Sequence, residues 1–132
     1  MTEEIVLDAS AAVKWLRAER GSAEARELLR RHVLGEVRIW MPEQCVAELL
    51  AVARRTDGPE VVAPMWQRVR KARIAVAPLS DELVERSAGI CSRTGCTFYD
   101  ALAPGLAELL GVQLVSADRR AHGSWPGVSL LG

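Results

Sequence analysis

Four carboxylates stand where the surrounding sequence gives a charged side chain little reason to be. Two of them follow short apolar runs that are rich in β-forming residues, and the other two lie in stretches with apolar helical spacing. Charged groups placed against apolar surface need a partner or a cation. The two that end apolar runs are Asp8 and Asp118, and the two in helical stretches are Glu48 and Asp100.

The chemistry open to these acids depends on whether they meet. Carboxylates packed together raise one another's pKa through mutual repulsion unless a cation compensates. Ligand sets made of oxygen alone favour hard ions, Mg²⁺ or Mn²⁺. Such ions lower the pKa of a bound water and stabilise charge on a phosphate, so the set suits phosphoryl chemistry. No histidine is required, and we expect neither His32 nor His122 to be catalytic.

Each acid also has an ordinary structural interpretation. Asp8 and Asp118 can serve as helix or loop caps, and Asp100 can be a favourable acid in a first helical turn. Glu48 is the hardest to explain in this way, because its helical neighbours are apolar and it interrupts what should be a buried stripe. Four such accidents around one edge are improbable together, which favours the metal interpretation.

The elements that must position these acids alternate between strand and helix. Strands this short and apolar, separated by helices, predict a parallel sheet covered by helices on both faces. A ligand site is then expected beyond the carboxyl ends of the strands. Strands are predicted at 5–8, 37–41, within 73–79, 112–115 and 128–131. Helices are predicted at 11–16, 22–33, 42–55, 61–69, 80–90 and 97–110, with one turn at 117–122. Ser22 and Ser80 are expected to cap the second and fifth of these helices, and Ala88 is expected to face inward in the fifth.

Length and composition fit one domain spanning residues 1–132. Of the residues, 49% are hydrophobic, which argues against disorder, yet no apolar run has the roughly 20 residues of a membrane helix. We therefore expect a soluble cytoplasmic protein. Acidic and basic residues balance at 17 each, so attraction to nucleic acid would have to be local. The three cysteines lack the spacing of a zinc site and are interpreted as reduced.

Several motifs together resemble the PIN domain family, and more narrowly the VapC type of bacterial toxin. They occur in the order that the family shows and extend almost from end to end of the chain. They are Asp8-Ala-Ser-Ala-Ala-Val-Lys-Trp-Leu16, the helical Glu48, Tyr99-Asp-Ala-Leu-Ala103 and Leu114-Val-Ser-Ala-Asp-Arg-Arg120.

The resemblance implies a three-layer α/β/α sandwich with a mostly parallel sheet of four to five strands. It implies a Mg²⁺-dependent endoribonuclease, with Mn²⁺ as a second possible ion, that acts as the toxin of a type II toxin–antitoxin pair. A homodimer and a cognate antitoxin are expected partners. The implied metal-binding and catalytic residues are Asp8, Glu48, Asp100 and Asp118, supported by Ser10 and Ser116, with Arg119 and Arg120 as weaker candidates for contacts to RNA phosphates.

One departure from the family pattern concerns Pro104 and Gly105, where relatives have ordinary helix formers. If the helix begins at Tyr99 or Asp100, Pro104 ends the first turn and its missing N–H matters little. An earlier start predicts a kink that displaces Asp100.

Other functions fit less well. A haloacid-dehalogenase-type phosphatase needs a second aspartate two residues after the first, where this chain has Ser10. A receiver domain needs a lysine near the end of the last strand, but the two lysines here are Lys14 and Lys71, which lie elsewhere. A PIN-like module that has lost turnover and binds RNA or a protein remains the alternative.

Overall fold

The computed structural model describes residues 2–132. Five parallel strands form its central sheet, in the order β3-β2-β1-β4-β5. This confirms the predicted α/β architecture with a parallel sheet. The strands are β1 (Glu3–Leu7), β2 (Val37–Pro42), β3 (Ala75–Ala77), β4 (Gln113–Ser116) and β5 (Ser129–Leu130).

Helices connect the strands and lie on both sides of the sheet. Three consecutive residues of β1, Ile5 to Leu7, are each at most 2% exposed. Because successive side chains of a strand point to opposite faces, both faces must be covered. The helices are α1 (Ala9–Ala12), α2 (Ser22–Val33), α3 (Glu43–Asp57), α4 (Val62–Lys71), α5 (Asp81–Thr94), α6 (Phe98–Leu110) and α7 (Arg119–His122), with 3₁₀ turns at Val13–Trp15 and Pro59–Val61.

The strand order places a topological switch point between β1 and β4. The chain leaves β1 toward β2 and β3 on one side, and later returns to add β4 and β5 on the other. The connections that leave β1 and β4 therefore run in opposite directions and open a crevice at the carboxyl edge. Asp8 directly follows β1, and Asp118 follows β4 by two residues.

Two local predictions were wrong. Ser22, expected to cap α2, is its first residue; its hydroxyl donates to the carbonyl of Arg17 and accepts from the N–H of Glu19. Gly21 takes the cap position at φ 88°, a conformation that glycine adopts without strain. In α5, Ser87 rather than Ala88 faces inward.

The inward position of Ser87 results from close packing of α5 against α6. A Cβ atom added to Gly105 would lie 2.5 Å from the hydroxyl oxygen of Ser87. Since interiors are close-packed, the two helices can approach this closely only because both facing residues are small. Gly105 therefore has a packing role at the place where the chain departs from the family pattern.

Among residues 2–132, no helix is long and apolar enough to cross a membrane.

Candidate metal centre

Asp8 is held rigidly at the end of β1. Its N–H donates to the carbonyl of Val115, so the last ladder bond to β4 extends to the acid itself. Its Oδ2 accepts from the backbone N–H of Ser10 at 3.1 Å and from the Ser10 hydroxyl at 2.6 Å, which makes Asp8 the N-cap of α1. The cap predicted as an alternative to metal binding is therefore present. It uses Oδ2 and leaves Oδ1 directed toward the Cys45 thiol, whose Sγ is 3.8 Å away.

Cys45 has a role that sequence reasoning missed. Burial raises the pKa of its thiol well above the usual value, and the negative charge of Asp8 raises it further. The thiol therefore stays protonated and donates its S–H to the carboxylate. Cys45, Cys91 and Cys96 are all free, and their reduced state stays a prediction.

Ser116 ends β4 and links the second acid to the first. Its hydroxyl oxygen accepts from the N–H of Asp118 at 3.1 Å and lies 3.3 Å from the Ser10 hydroxyl. The Ser10 hydroxyl also accepts from the N–H of Ala117 at 2.9 Å. Asp118 in turn caps α7, because its Oδ1 accepts from the N–H of Ala121 at 3.0 Å. The two serines named by the resemblance thus join the ends of neighbouring strands.

His122 completes this arrangement. It lies at the end of the predicted turn at 117–122, as the last residue of α7, and is only 3% exposed. One ring nitrogen, Nδ1, lies 2.7 Å from the Ser116 hydroxyl, and the other, Nε2, lies 2.8 Å from the carbonyl oxygen of Asp100. The strand-end cluster is defined here as Asp8, Ser10, Ser116, Asp118 and His122.

Glu48 and Asp100, named here the helix pair, approach the cluster from two helices. Glu48 lies in the second turn of α3, and Asp100 lies in the first turn of α6, where Thr97 caps the helix by accepting from the N–H of Asp100 at 3.1 Å. Partial burial raises the pKa of the Glu48 carboxyl, and the charges of Asp8 and Asp100 raise it further. Asp8 and Asp100, from two other segments, therefore each lie close enough to Glu48 to repel its carboxylate.

Glu48 does not interrupt the buried stripe of its helix, although its apolar neighbours predicted that it would. The residue as a whole is exposed, and the buried face of α3 comprises Cys45, Val46, Leu49 and Ala53. Glu48 stands at the margin of that face rather than within it. Its carboxyl loses part of its hydration to neighbouring atoms, and this loss is the largest cause of its raised pKa.

Asp118 has a weaker place in the group. It joins the strand-end cluster through Ser116 and its own cap, whereas the charges that raise the pKa of Glu48 are those of Asp8 and Asp100. Within residues 2–132, no three acidic, histidine or cysteine side chains already stand close enough together to hold a metal ion. Binding one would require side-chain rotation, for which the exposed Glu48 has room.

The donor chemistry nevertheless fits a hard divalent cation. Glu48 and the two groups whose charges act on it, Asp8 and Asp100, are all carboxylates, and Mg²⁺ and Mn²⁺ bind oxygen ligands in preference to others. A cation between Asp8, Glu48 and Asp100 would replace the repulsion among them by attraction.

Arg119 and Arg120, the basic candidates, are the first two residues of α7 and are exposed. Arg120 lines a cavity of about 780 Å³ that reaches Asp100 and has Trp125 in its wall. A contact between these arginines and RNA remains a prediction. Trp125 was not singled out from the sequence, because a lone tryptophan between glycines and prolines has no distinctive spacing.

The expected kink at Pro104 has a different outcome. The helix begins at Phe98, earlier than the tolerated starts, yet α6 runs without interruption to Leu110. Proline in a helix interior leaves the carbonyl four residues earlier without its helical donor, and here that carbonyl belongs to Asp100. His122 Nε2 supplies the missing hydrogen bond at 2.8 Å. A proline four residues after a predicted ligand was the available sequence signal for such a partner.

The fold and its acids together define a class: a parallel α/β domain with carboxylates from several segments around the switch point of the sheet. The PIN domain family model matches residues 5–123. The chain therefore belongs to the PIN domain family, whose members are nucleases, which confirms the resemblance read from the motifs.

Solved structures share the fold at low sequence identity. VapC20 of Mycobacterium tuberculosis, a sarcin–ricin-loop-cleaving toxin, has a TM-score of 0.75 at 13% identity over 97% of this chain and 99% of its own. A toxin–antitoxin complex from Klebsiella pneumoniae gives 0.73 at 15% identity over 95% of each chain. DNA-bound VapBC from Salmonella typhimurium gives 0.68 at 18% identity over 98% and 97%. No curated protein matches the sequence.

Proposed function

We propose that this protein is a divalent-metal-dependent endoribonuclease that acts as the toxin of a type II toxin–antitoxin pair. The observation that supports this best is the placement of Asp8, Glu48 and Asp100 on three segments near the switch point, where the charges of Asp8 and Asp100 both act on the Glu48 carboxyl. Family membership and the VapC fold support the same conclusion.

The proposed metal ligands are Asp8, Glu48, Asp100 and Asp118. Of these, Asp118 would either hold a water bound to the ion or bind a second ion. A bound Mg²⁺ or Mn²⁺ would lower the pKa of a water and stabilise charge on the scissile phosphate. Ser10 fixes the rotamer of Asp8, the N–H of Ala117 fixes Ser10, and Ser116 fixes the start of α7. Hydroxyls in such positions orient ligands rather than attack substrate.

Arg119 and Arg120 are proposed to hold RNA phosphates beside the acids. Both are exposed at the start of α7, and arginine forms paired hydrogen bonds with phosphate. Replacing both with glutamine should weaken RNA binding evenly across sequences. It should also reduce the slope of the salt dependence of binding by about one for each phosphate that an arginine no longer neutralises.

An antitoxin and a second copy of the chain are proposed as partners. The Klebsiella structure is a toxin–antitoxin complex, and several large apolar side chains of this chain are exposed: Val33 and Leu34 by 66% and 60%, and Tyr99 beside Asp100 by 68%. Exposed apolar groups of this kind occur at protein interfaces. Light scattering across micromolar concentrations tests the dimer, and a strictly monomeric protein contradicts it.

The decisive experiment compares cleavage of a panel of structured RNAs by the wild type, Asp8→Asn and Asp57→Asn, each with Mg²⁺ or Mn²⁺. Loss of an outer-shell partner typically reduces metal affinity or activity by roughly 10- to 100-fold, so loss of a direct ligand should reduce cleavage at least that much. Asp57 is the matched control, since it is exposed at the far end of α3.

The alternative is a PIN-like module without turnover that binds RNA or a protein. Equal behaviour of the wild type and the Asp8→Asn variant, including equal residual cleavage, would favour it, because shared residual cleavage would then come from a contaminant.

A further inference from the structure

We propose that His122 is a positioning residue for the acidic site: its ring replaces the helix hydrogen bond that Pro104 removes and so fixes Asp100 relative to Asp8. The inference rests on the proposed function, because it concerns how the proposed ligands are held. It assigns a role to a residue that the motifs did not mark.

The backbone of α6 lacks one helical hydrogen bond, at the carbonyl of Asp100. In an uninterrupted helix the carbonyl of Asp100 accepts from the N–H of residue 104, but Pro104 has no N–H. Pro104 is buried, and a backbone carbonyl left unpaired beside it would be unfavourable. The Nε2 atom of His122 meets this carbonyl oxygen at 2.8 Å.

The imidazole ring of His122 is held in one orientation by its partners. A carbonyl oxygen only accepts, so Nε2 must carry hydrogen; in the neutral ring Nδ1 is then an acceptor and the Ser116 hydroxyl donates to it. The backbone of His122 is held as well, since its N–H donates to the carbonyl of Asp118 and its carbonyl accepts from the N–H of Trp125. With the ring only 3% exposed, it has little freedom to turn.

Ser116, the backbone of Ala117 and Ser10 connect the His122 ring to Asp8. The Ser116 hydroxyl donates to Nδ1 and the Ser10 hydroxyl donates to Asp8 Oδ2 at 2.6 Å, so the 3.3 Å contact between the two hydroxyl oxygens has no hydrogen to share. The connection runs instead through the backbone, because the N–H of Ala117, the residue after Ser116, donates to the Ser10 hydroxyl at 2.9 Å. His122 itself stops 4.0 Å short of Asp8. It therefore acts on Asp8 through Ser116, the backbone N–H of Ala117 and Ser10, and on Asp100 through that residue's carbonyl, which fixes the two acids relative to one another.

The experiment measures Mn²⁺ binding by titration calorimetry on RNA-free protein. We expect His122→Ala to lower the affinity roughly 10- to 100-fold, the range typical of outer-shell partners. His32→Ala is the matched control. Its ring also bridges two backbone groups, Ala72 O at 2.7 Å and Ile39 N at 3.1 Å, but it lies on α2 near the turn into β2 and away from the acids.

A second substitution separates positioning from simple loss of a buried ring. Pro104→Ala restores an N–H directed at the carbonyl of Asp100, so the Pro104→Ala/His122→Ala protein should recover at least half of the missing affinity on a logarithmic scale. A merely structural histidine would not be rescued by a change in α6. Should His122→Ala fail to fold, His122→Gln, which keeps a side-chain N–H donor, and the double variant supply the same comparison.

The outcomes distinguish the two proposals. Wild-type protein that binds no Mn²⁺ overturns the proposed function and this inference with it. Wild-type binding together with unchanged affinity in folded His122→Ala, equal loss in His32→Ala, or no recovery in the double variant overturns the inference alone.

Discussion

The strand-end cluster and the helix pair hold their acids by different means. In the cluster, Asp8 and Asp118 each cap a helix and share a network through Ser10, Ser116 and His122. In the helix pair, Glu48 stands at the margin of α3 and meets mainly the negative charges of Asp8 and Asp100. The site thus combines a fixed part, set by tight turns at strand ends, with a part whose charges oppose one another.

The largest expected effect is on thermal stability, and it tests whether a cation binds the strand-end cluster and the helix pair together. Metal that binds only the folded protein stabilises it by about 2.7 kcal/mol at a free concentration about a hundred times Kd, which raises the melting temperature by several degrees. Glu48→Gln should reduce this gain, whereas Glu85→Gln, an exposed change on α5, should keep it. Identical melting curves with and without metal would contradict a joint site.

The next effect concerns the fixed part alone. Ser116→Ala leaves the N–H of Asp118 and a nitrogen of His122 without their partner. Buried groups left unsatisfied cost about 1–3 kcal/mol, and urea unfolding without metal should show a loss of this size. Ser92→Ala, an exposed change on α5, should change the free energy of unfolding little; an equal loss in both variants would refute the network's contribution.

A direct comparison replaces one acid from each part. Asp8→Ala removes a helix cap and should cost about 1–2 kcal/mol. Asp100→Ala removes an acid that opposes Glu48 and leaves the Thr97 cap in place, so the free energy of unfolding should change by less than about 0.5 kcal/mol. Comparable losses in the two variants would show that the parts do not differ as described.

The smallest effect is the pH dependence that Glu48 brings to the metal-free protein. Its pKa in the folded state lies above the ordinary 4.5, so above that pH the folded state holds more protons than the unfolded state. Stability should therefore decline as pH rises from about 4.5 through the raised pKa. Glu48→Gln should abolish this decline, gaining less than about 1 kcal/mol at neutral pH because the exposed residue is screened; a variant whose curve still falls in parallel would assign the decline elsewhere.

Much of the fold could be predicted because its signals are local. Five apolar runs became five strands, and Ser80 caps α5 as expected, with its hydroxyl accepting from the N–H of Leu83 at 3.2 Å. The first helix was predicted through Leu16 but ends sooner, as α1 and a 3₁₀ turn that stops at Trp15. Periodicity marks apolar positions without fixing where a helix loses its regular bonding.

The site was predictable in its members and less so in its arrangement. Asp8 and Asp118 follow strands, and their place at one edge follows from parallel topology. The margin position of Glu48 depends on how α3 rotates against the sheet, and the inward face of Ser87 depends on its packing against Gly105. These are packing outcomes between distant segments, which one-dimensional spacing does not encode.

By itself, the sequence determined the alternation of strands and helices, the family, and the acids proposed to bind metal, because hydrophobic periodicity and motif order are properties of the chain read along its length. Only the tertiary structure decided that His122 would complete the helix that Pro104 interrupts. The reason is physical: an unpaired carbonyl accepts any donor that packing brings within reach, and here the donor lies 22 residues from Asp100 along the chain.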